Sequence, residues 1–163
     1  MTCGKTETLD LQHKGGCVIN FTHLLTAFPN VETIHSYGGV LTKNWFADIQ
    51  QFKKHPLKLV RFVVSAHRFE PFDVNAFVKF LKSRPHRVDI LFYVYDDQRK
   101  VEAYASELEQ ILDQHLTRSD APLQVMTKYT RFMLRIYEQN VSWLLYPEND
   151  VLTHEKKHRL FPL

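Results

Sequence analysis

Glycine is scarce in this chain, with five in 163 residues, and the scarcity removes a group of functions. A phosphate-binding loop needs several glycines so that backbone N–H groups can close on the anion. No G-x-x-x-x-G-K-[ST], G-x-G-x-x-G or G-x-S-x-G pattern occurs, so the signatures of P-loop, dinucleotide-binding and α/β-hydrolase chemistry are missing. Cysteine is scarcer still. Cys3 and Cys17 stand 14 apart, with no metal-ligand spacing, and read as reduced thiols of a cytoplasmic or nuclear protein. No apolar run approaches the roughly 18 residues of a membrane span, and MTCGKTETLD lacks the apolar stretch of a secretory signal. Charge of one sign is lacking too. A net charge of +3 permits an acidic partner without demanding nucleic acid. No cofactor, membrane or nucleic-acid partner is expected from these features.

Aromatic residues are plentiful, 13% of the chain with 12 Phe, and suit a core or interface built on rings. The stretch Asp73–Asp96, DVNAFVKFLKSRPHRVDILFYVYD, supplies the organising unit. Val74, Phe77, Val78 and Leu81 recur at i, i+3, i+4 and i+7, one stripe of an amphipathic helix. Asp73 can cap its start and Pro85 stops it, because proline has no N–H and disfavours helical geometry at Arg84. Val88–Tyr95, nearly all β-branched or aromatic, reads as a strand buried on both faces.

Helix, proline and strand recur. Helical segments run into AFPNVETI, KHPLKLVRF, SRPHRVDILF and DAPLQVMT, with prolines at 29, 56, 85 and 122. An apolar frame aligns Val31, Ile34 and Ser36 with Leu57, Val60 and Phe62. The same frame continues to Val88, Leu91 and Tyr93, then to Leu123, Met126 and Lys128. One strand and one helix per 20–29 residues is the leucine-rich-repeat period. The expected fold is α/β: βα repeats with a mainly parallel sheet, as a leucine-rich-repeat-like solenoid over residues 1–147 with a polar tail at 148–163. A doubly wound α/β sandwich fits the same pattern, since curvature decides whether helices cover one sheet face or both. Asn20, then Thr42 or Asn44, are candidate caps of the first two helices. The longest helix is predicted from Gln98 to Leu116, followed by a polar loop and strands at Leu123–Tyr129, Phe132–Gln139 and Val141–Tyr146.

Few residues suggest chemistry. His154-Glu155-Lys156-Lys157-His158 satisfies H-E-x-x-H, the spacing that puts two zinc ligands on one helix face. Its lysines would lie beside the metal, and the stretch reads as a solvated basic tail. Asp96-Asp97 ends a strand, where open α/β sheets place ligands. It suits equally the N-terminus of the following helix. Lys53, Lys54, Lys58, Arg61, Lys79, Lys82, Arg84 and Arg87 gather at two helix-to-strand junctions, either to meet an acidic partner or to complement helix C-termini. In the frame above, the alternate strand positions face away from the helices, which makes His35, Tyr37, Arg61, Val63, Phe92, Val94 and Tyr129 the candidate partner-binding residues. Arg61 and Phe92 fall side by side in that alignment.

The phrases FTHLLTAFPNVETI, NWFADIQQFKKHPLKLVRF and AFVKFLKSRPHRVDILF resemble the leucine-rich-repeat-like regions that follow the F-box in the divergent, nematode-type expansions of F-box proteins. The resemblance covers residues 6–95. It implies a substrate-recruiting or adaptor role in a ubiquitin ligase. No F-box helical module precedes these repeats, so binding to the ligase's adaptor subunit is not carried over. The functional expectation is a non-catalytic protein–protein interaction module. A small α/β enzyme or ligand-binding domain using the strand ends near Asp96 and Asp97 is the alternative.

Overall fold

The computed structural model describes residues 7–96, 98–119, 129–136 and 139–146. Strands β1 (Glu7–Gln12), β2 (Val31–Tyr37), β3 (Leu59–Ser65) and β4 (Asp89–Tyr95) are separated by helices α1 (Phe21–Ala27), α2 (Trp45–Gln50) and α3 (Val74–Ser83). Then come α4 (Glu102–His115), the two-residue β5 (Thr117–Arg118), β6 (Thr130–Ile136) and β7 (Gln139–Leu145). They form a seven-stranded sheet in the order β1-β2-β3-β4-β6-β7-β5. It is parallel from β1 through β6, and antiparallel where β7 pairs with β6 and with β5.

The helix ends follow their local chemistry. Asn20 Oδ1 accepts from His23 N–H at 2.8 Å, and Asp73 Oδ1 from Ala76 N–H at 3.0 Å. Each satisfies one N–H that the first turn leaves unpaired. Asn44 flanks α2 without a side-chain cap. Helix α3 stops at Ser83, and Arg84 is extended at φ −73°, ψ 125°, as a residue preceding proline should be. After β2 the chain turns at Gly38, whose φ of +78° suits glycine, while a Cβ on Gly39 would meet Ile19 at 2.7 Å.

All four helices pack on one face of the sheet. Ile34 of β2, Val60, Phe62 and Val64 of β3, and Ile90, Phe92 and Val94 of β4 share one core with residues of every helix. Phe132 and Leu134 of β6 and Trp143 of β7 join them. The helix contributions include Phe21, Trp45, Phe77 and Leu108. Phe62 and Phe92 stack at 4.7 Å between centroids, and Trp45 stands edge-on over both at 5.1 and 5.4 Å. Among the described residues no helix lies on the other face, and the fold is mixed α/β with a mostly parallel seven-stranded sheet.

The first half of the predicted frame matches the pairing, with Ile34 opposite Val60 and Ser36 opposite Phe62. The second half is off by one. Val60 pairs with Ile90 and Phe62 with Phe92, while Arg61 lies beside Leu91. Because side chains alternate, a slip of one residue exchanges the two faces. The proposed strand Leu123–Tyr129 falls largely outside the described residues, and Tyr129 itself lies in a bend before β6. Strand β6 is both the parallel neighbour of β4 and the antiparallel partner of β7, which begins at Gln139, the residue expected to end the preceding strand.

Leu108 is 1% exposed and Phe92 likewise, so truncation should open a cavity at either site. Leu108→Ala is expected to lose about 2–5 kcal/mol and Phe92→Ala about 3–5 kcal/mol. Equilibrium denaturation measures both. A loss under about 0.5 kcal/mol at Leu108 would show that α4 does not pack on the sheet.

Candidate functional site

Residues pointing away from the helices lie in three rows across the sheet, with Ser65 and Tyr95 beyond them at the ends of β3 and β4. The middle row runs Asp10, His35, Arg61, Leu91, Met133 and Ser142. The next, toward the strands' C-terminal ends, is Gln12, Tyr37, Val63, Tyr93, Arg135 and Asn140. In the first row, Asp89 and Arg131 are buried and joined at 3.3 Å, and Arg87 closes on Asp89 at 2.6 Å. A buried charge needs such a partner, since desolvation of an unpaired ion costs several kcal/mol.

Four candidate residues, His35, Tyr37, Arg61 and Val63, lie together on this face, each half-buried. His35 Nδ1 and Asp10 Oδ1 are 3.0 Å apart. The remaining candidates are corrected by the register. Phe92 (1% exposed) and Val94 (3%) belong to the core beneath the helices. Tyr129 stands off the three rows, with its ring centroid 4.5 Å from that of Tyr146. Their departure leaves the face less apolar than the frame implied, because Asp89, Leu91 and Tyr93 replace Ile90, Phe92 and Val94.

The correction exposes a cluster that sequence reasoning missed. The Arg61 guanidinium lies 5.6 Å from the centroid of the Tyr93 ring, and that of Arg135 lies 5.9 Å from it. They come from β3 and β6, the strands on either side of β4. Their attraction to the ring is electrostatic. Among the described residues neither arginine has a carboxylate partner, and Arg61 Nε is buried without a hydrogen bond. The two carboxylates in these rows are already engaged, Asp10 with His35 and Asp89 with Arg87 and Arg131. A sequence signal for this face exists: Asp89, Tyr93 and Tyr95 are the polar-tipped members of β4 and share one parity.

Asp96 works as an anchor for the chain leading into α4. Its Oδ1 accepts from Lys100 N–H at 2.9 Å and its Oδ2 from Val101 N–H at 2.8 Å. This loop, with Arg99 at φ +54°, delays the helix to Glu102 from the expected Gln98. Burial pushes the Asp96 pKa up. Hydrogen bonds from the Val101, Lys100 and Gln98 backbone and the charge of Lys100 outweigh it, leaving the carboxyl below its ordinary 3.8. Asp97 lies outside the described residues.

The basic cluster divides between roles. Lys82 sits in the last turn of α3, where a cation meets exposed carbonyl dipoles. Arg84 Nη1 donates to Phe52 O at 3.3 Å, and Lys58 pairs with Glu32 at 2.7 Å. Among the described residues no group of three His, Cys, Asp or Glu side chains is placed to hold a metal, and no helix is long and apolar enough to cross a membrane. His154–His158 lies outside the described residues.

The folded pKa of Asp96 is below its unfolded value, so its contribution is present above about pH 4 and is lost as pH falls through the folded pKa. Asp96→Ala should cost about 1–2 kcal/mol near pH 7, like the loss of a helix cap. The gap from wild type should shrink near pH 3 in urea titrations. A gap unchanged by acid would place the stabilisation elsewhere than in the carboxylate.

The chain matches no family model, no curated protein and no solved structure, so its functional reading is built on the geometry of this sheet face.

Proposed function

We propose that this chain is a non-catalytic protein-interaction module that engages its partner on the sheet face turned away from the helices. One observation carries the reading. The helices gather on one side, and the other presents half-buried Tyr37, Val63 and Tyr93 beside arginine, the residue types that dominate interface hot spots. Tyrosine contributes large amphipathic area at a low entropy cost, and arginine a planar fork for hydrogen bonds. Sequential parallel βα units from β1 to β4 support the reading as a short leucine-rich-repeat-like solenoid, a class that uses its extended surface for binding. The resemblance to F-box-associated repeats suggests the role: an adaptor or substrate-recognition component of a ubiquitin ligase, acting in the cytoplasm or nucleus. The engagement of both Asp96 oxygens by backbone N–H groups supports a structural duty for the residue on which the enzyme alternative depends.

The test is affinity capture with mass spectrometry on wild type, Tyr93→Ala and a control substitution on the helical side, Glu107→Ala. A protein captured in stoichiometric yield by wild type and Glu107→Ala should be weakened by about 1 kcal/mol or more in Tyr93→Ala. Ligase subunits among the captured proteins would support the adaptor role. Equal capture by Tyr93→Ala and by Val63→Glu would remove this face from the interface.

A further inference from the structure

We infer that Arg61, Tyr93 and Arg135 form the docking point for an extended acidic peptide of the partner, with two carboxylates spaced three residues apart. The inference rests on the interaction reading above and specifies its chemistry. The argument is charge complementarity. Both guanidiniums lack a carboxylate among the described residues, while Asp10 and Asp89 on the same face are engaged. Among the described residues, two positive charges therefore remain without a carboxylate, beside the neutral Tyr37 and Val63.

The spacing specifies the ligand further. Arg61 and Arg135 stand on strands two steps apart across β4 and two residues out of register, about 12 Å between backbones at the usual spacings, and their guanidiniums converge on the Tyr93 ring at 5.6 and 5.9 Å from its centroid. A chain in extended polyproline-like conformation advances about 3.1 Å per residue, so side chains at i and i+3 stand about 9 Å apart on one side. A peptide crossing the strands with Glu or Asp at those positions sets one carboxylate on each guanidinium. The fork of arginine can donate two N–H bonds to each carboxylate, a bidentate pair stronger than a neutral hydrogen bond. Tyr93 holds both guanidiniums in place, and the intervening residues lie over its edge and over Val63.

Nucleic acid fits the same cluster less well. Single-stranded RNA is held largely by stacking bases on aromatic rings, and Tyr93 already carries a guanidinium from each neighbouring strand.

Fluorescence anisotropy on the full chain tests this with labelled peptides. The first has two glutamates three residues apart, the second has glutamines there, and the third has the two glutamates adjacent. The first should bind at least about 10-fold more tightly than the second and about 3-fold more tightly than the third, and should weaken as salt screens the charges. Arg61→Gln and Arg135→Gln should each reduce its affinity by about 5–20-fold. Arg135 is exposed, so its variant keeps the test valid if Arg61→Gln unfolds. Equal binding of glutamate and glutamine peptides would overturn the inference. So would binding unaffected by Arg135→Gln, or a preference for single-stranded RNA or for a phosphoserine peptide over the diglutamate one. Should Tyr93→Ala lose a captured partner while wild type ignores every acidic peptide, the interaction face stands and the acidic ligand falls.

Discussion

Burial of one indole, that of Trp45, ties the helical layer to the sheet. Its ring lies 5.1–6.4 Å from those of Phe21, Phe46, Phe62, Phe72, Phe77, Phe80 and Phe92. Those residues come from three helices, two strands and the loop before α3. Edge-on contacts predominate, as the ring quadrupole favours. The arrangement has a cost, because Trp45 Nε1 is buried without a hydrogen-bond partner, a loss of about 1–3 kcal/mol that apolar burial offsets. With the rings facing the helices, every second residue of β2, β3 and β4 is committed inward. The remaining residues are then presented on the other side by the pleat alone.

A second set of contacts closes the far end of the sheet. Asp113 on α4 accepts from Arg118 Nε at 3.1 Å and from Trp143 Nε1 at 2.8 Å, and Arg118 also reaches Glu109 at 2.9 Å. Burial raises the Asp113 pKa, but the hydrogen bonds from Arg118 and Trp143 win and hold it below its ordinary value. Between the ends, the Tyr104 hydroxyl donates to Phe72 O at 3.0 Å and accepts from Phe72 N–H at 3.3 Å. These contacts join α4 to the loop before α3 and to β5 and β7. The helical layer is thereby held along its length, while on the opposite face Leu91, Asp89 and Arg131 are buried and Tyr37, Val63 and Tyr93 stay partly exposed.

That face combines a settled part with an unsettled one. Asp89, buried among Arg87 and Arg131, is fully engaged, and a charge so placed gives structure rather than recognition. In the two rows beyond it, Arg61 and Arg135 share a tyrosine and, among the described residues, no acid. The same residue type thus serves two ends, and what separates them is the presence of a carboxylate within reach.

Local sequence determined the elements. The caps at Asn20 and Asp73, the stop at Pro85 and the apolar stripe of α3 act over a few residues, so their physics is legible without the fold. The pairing of β2 with β3 was legible too, because Arg61 and His35 mark the outer side of strands that otherwise alternate. Only tertiary structure decided the facing of β4. In ILFYVY every position can be buried, so hydropathy alone carries no register; the polar tips of Asp89, Tyr93 and Tyr95 only hint at it, and packing of Phe92 on Phe62 and Trp45 made the choice. It sent Phe92 and Val94 inward and brought out Tyr93. The late start of α4 and the two-residue strand β5 belong to the same class. The first depends on Asp96 reaching across its loop, and the second on Arg118 being held by Asp113. The Arg61–Tyr93–Arg135 cluster joins residues from three strands up to 74 positions apart, and such a meeting exists only once the register is set.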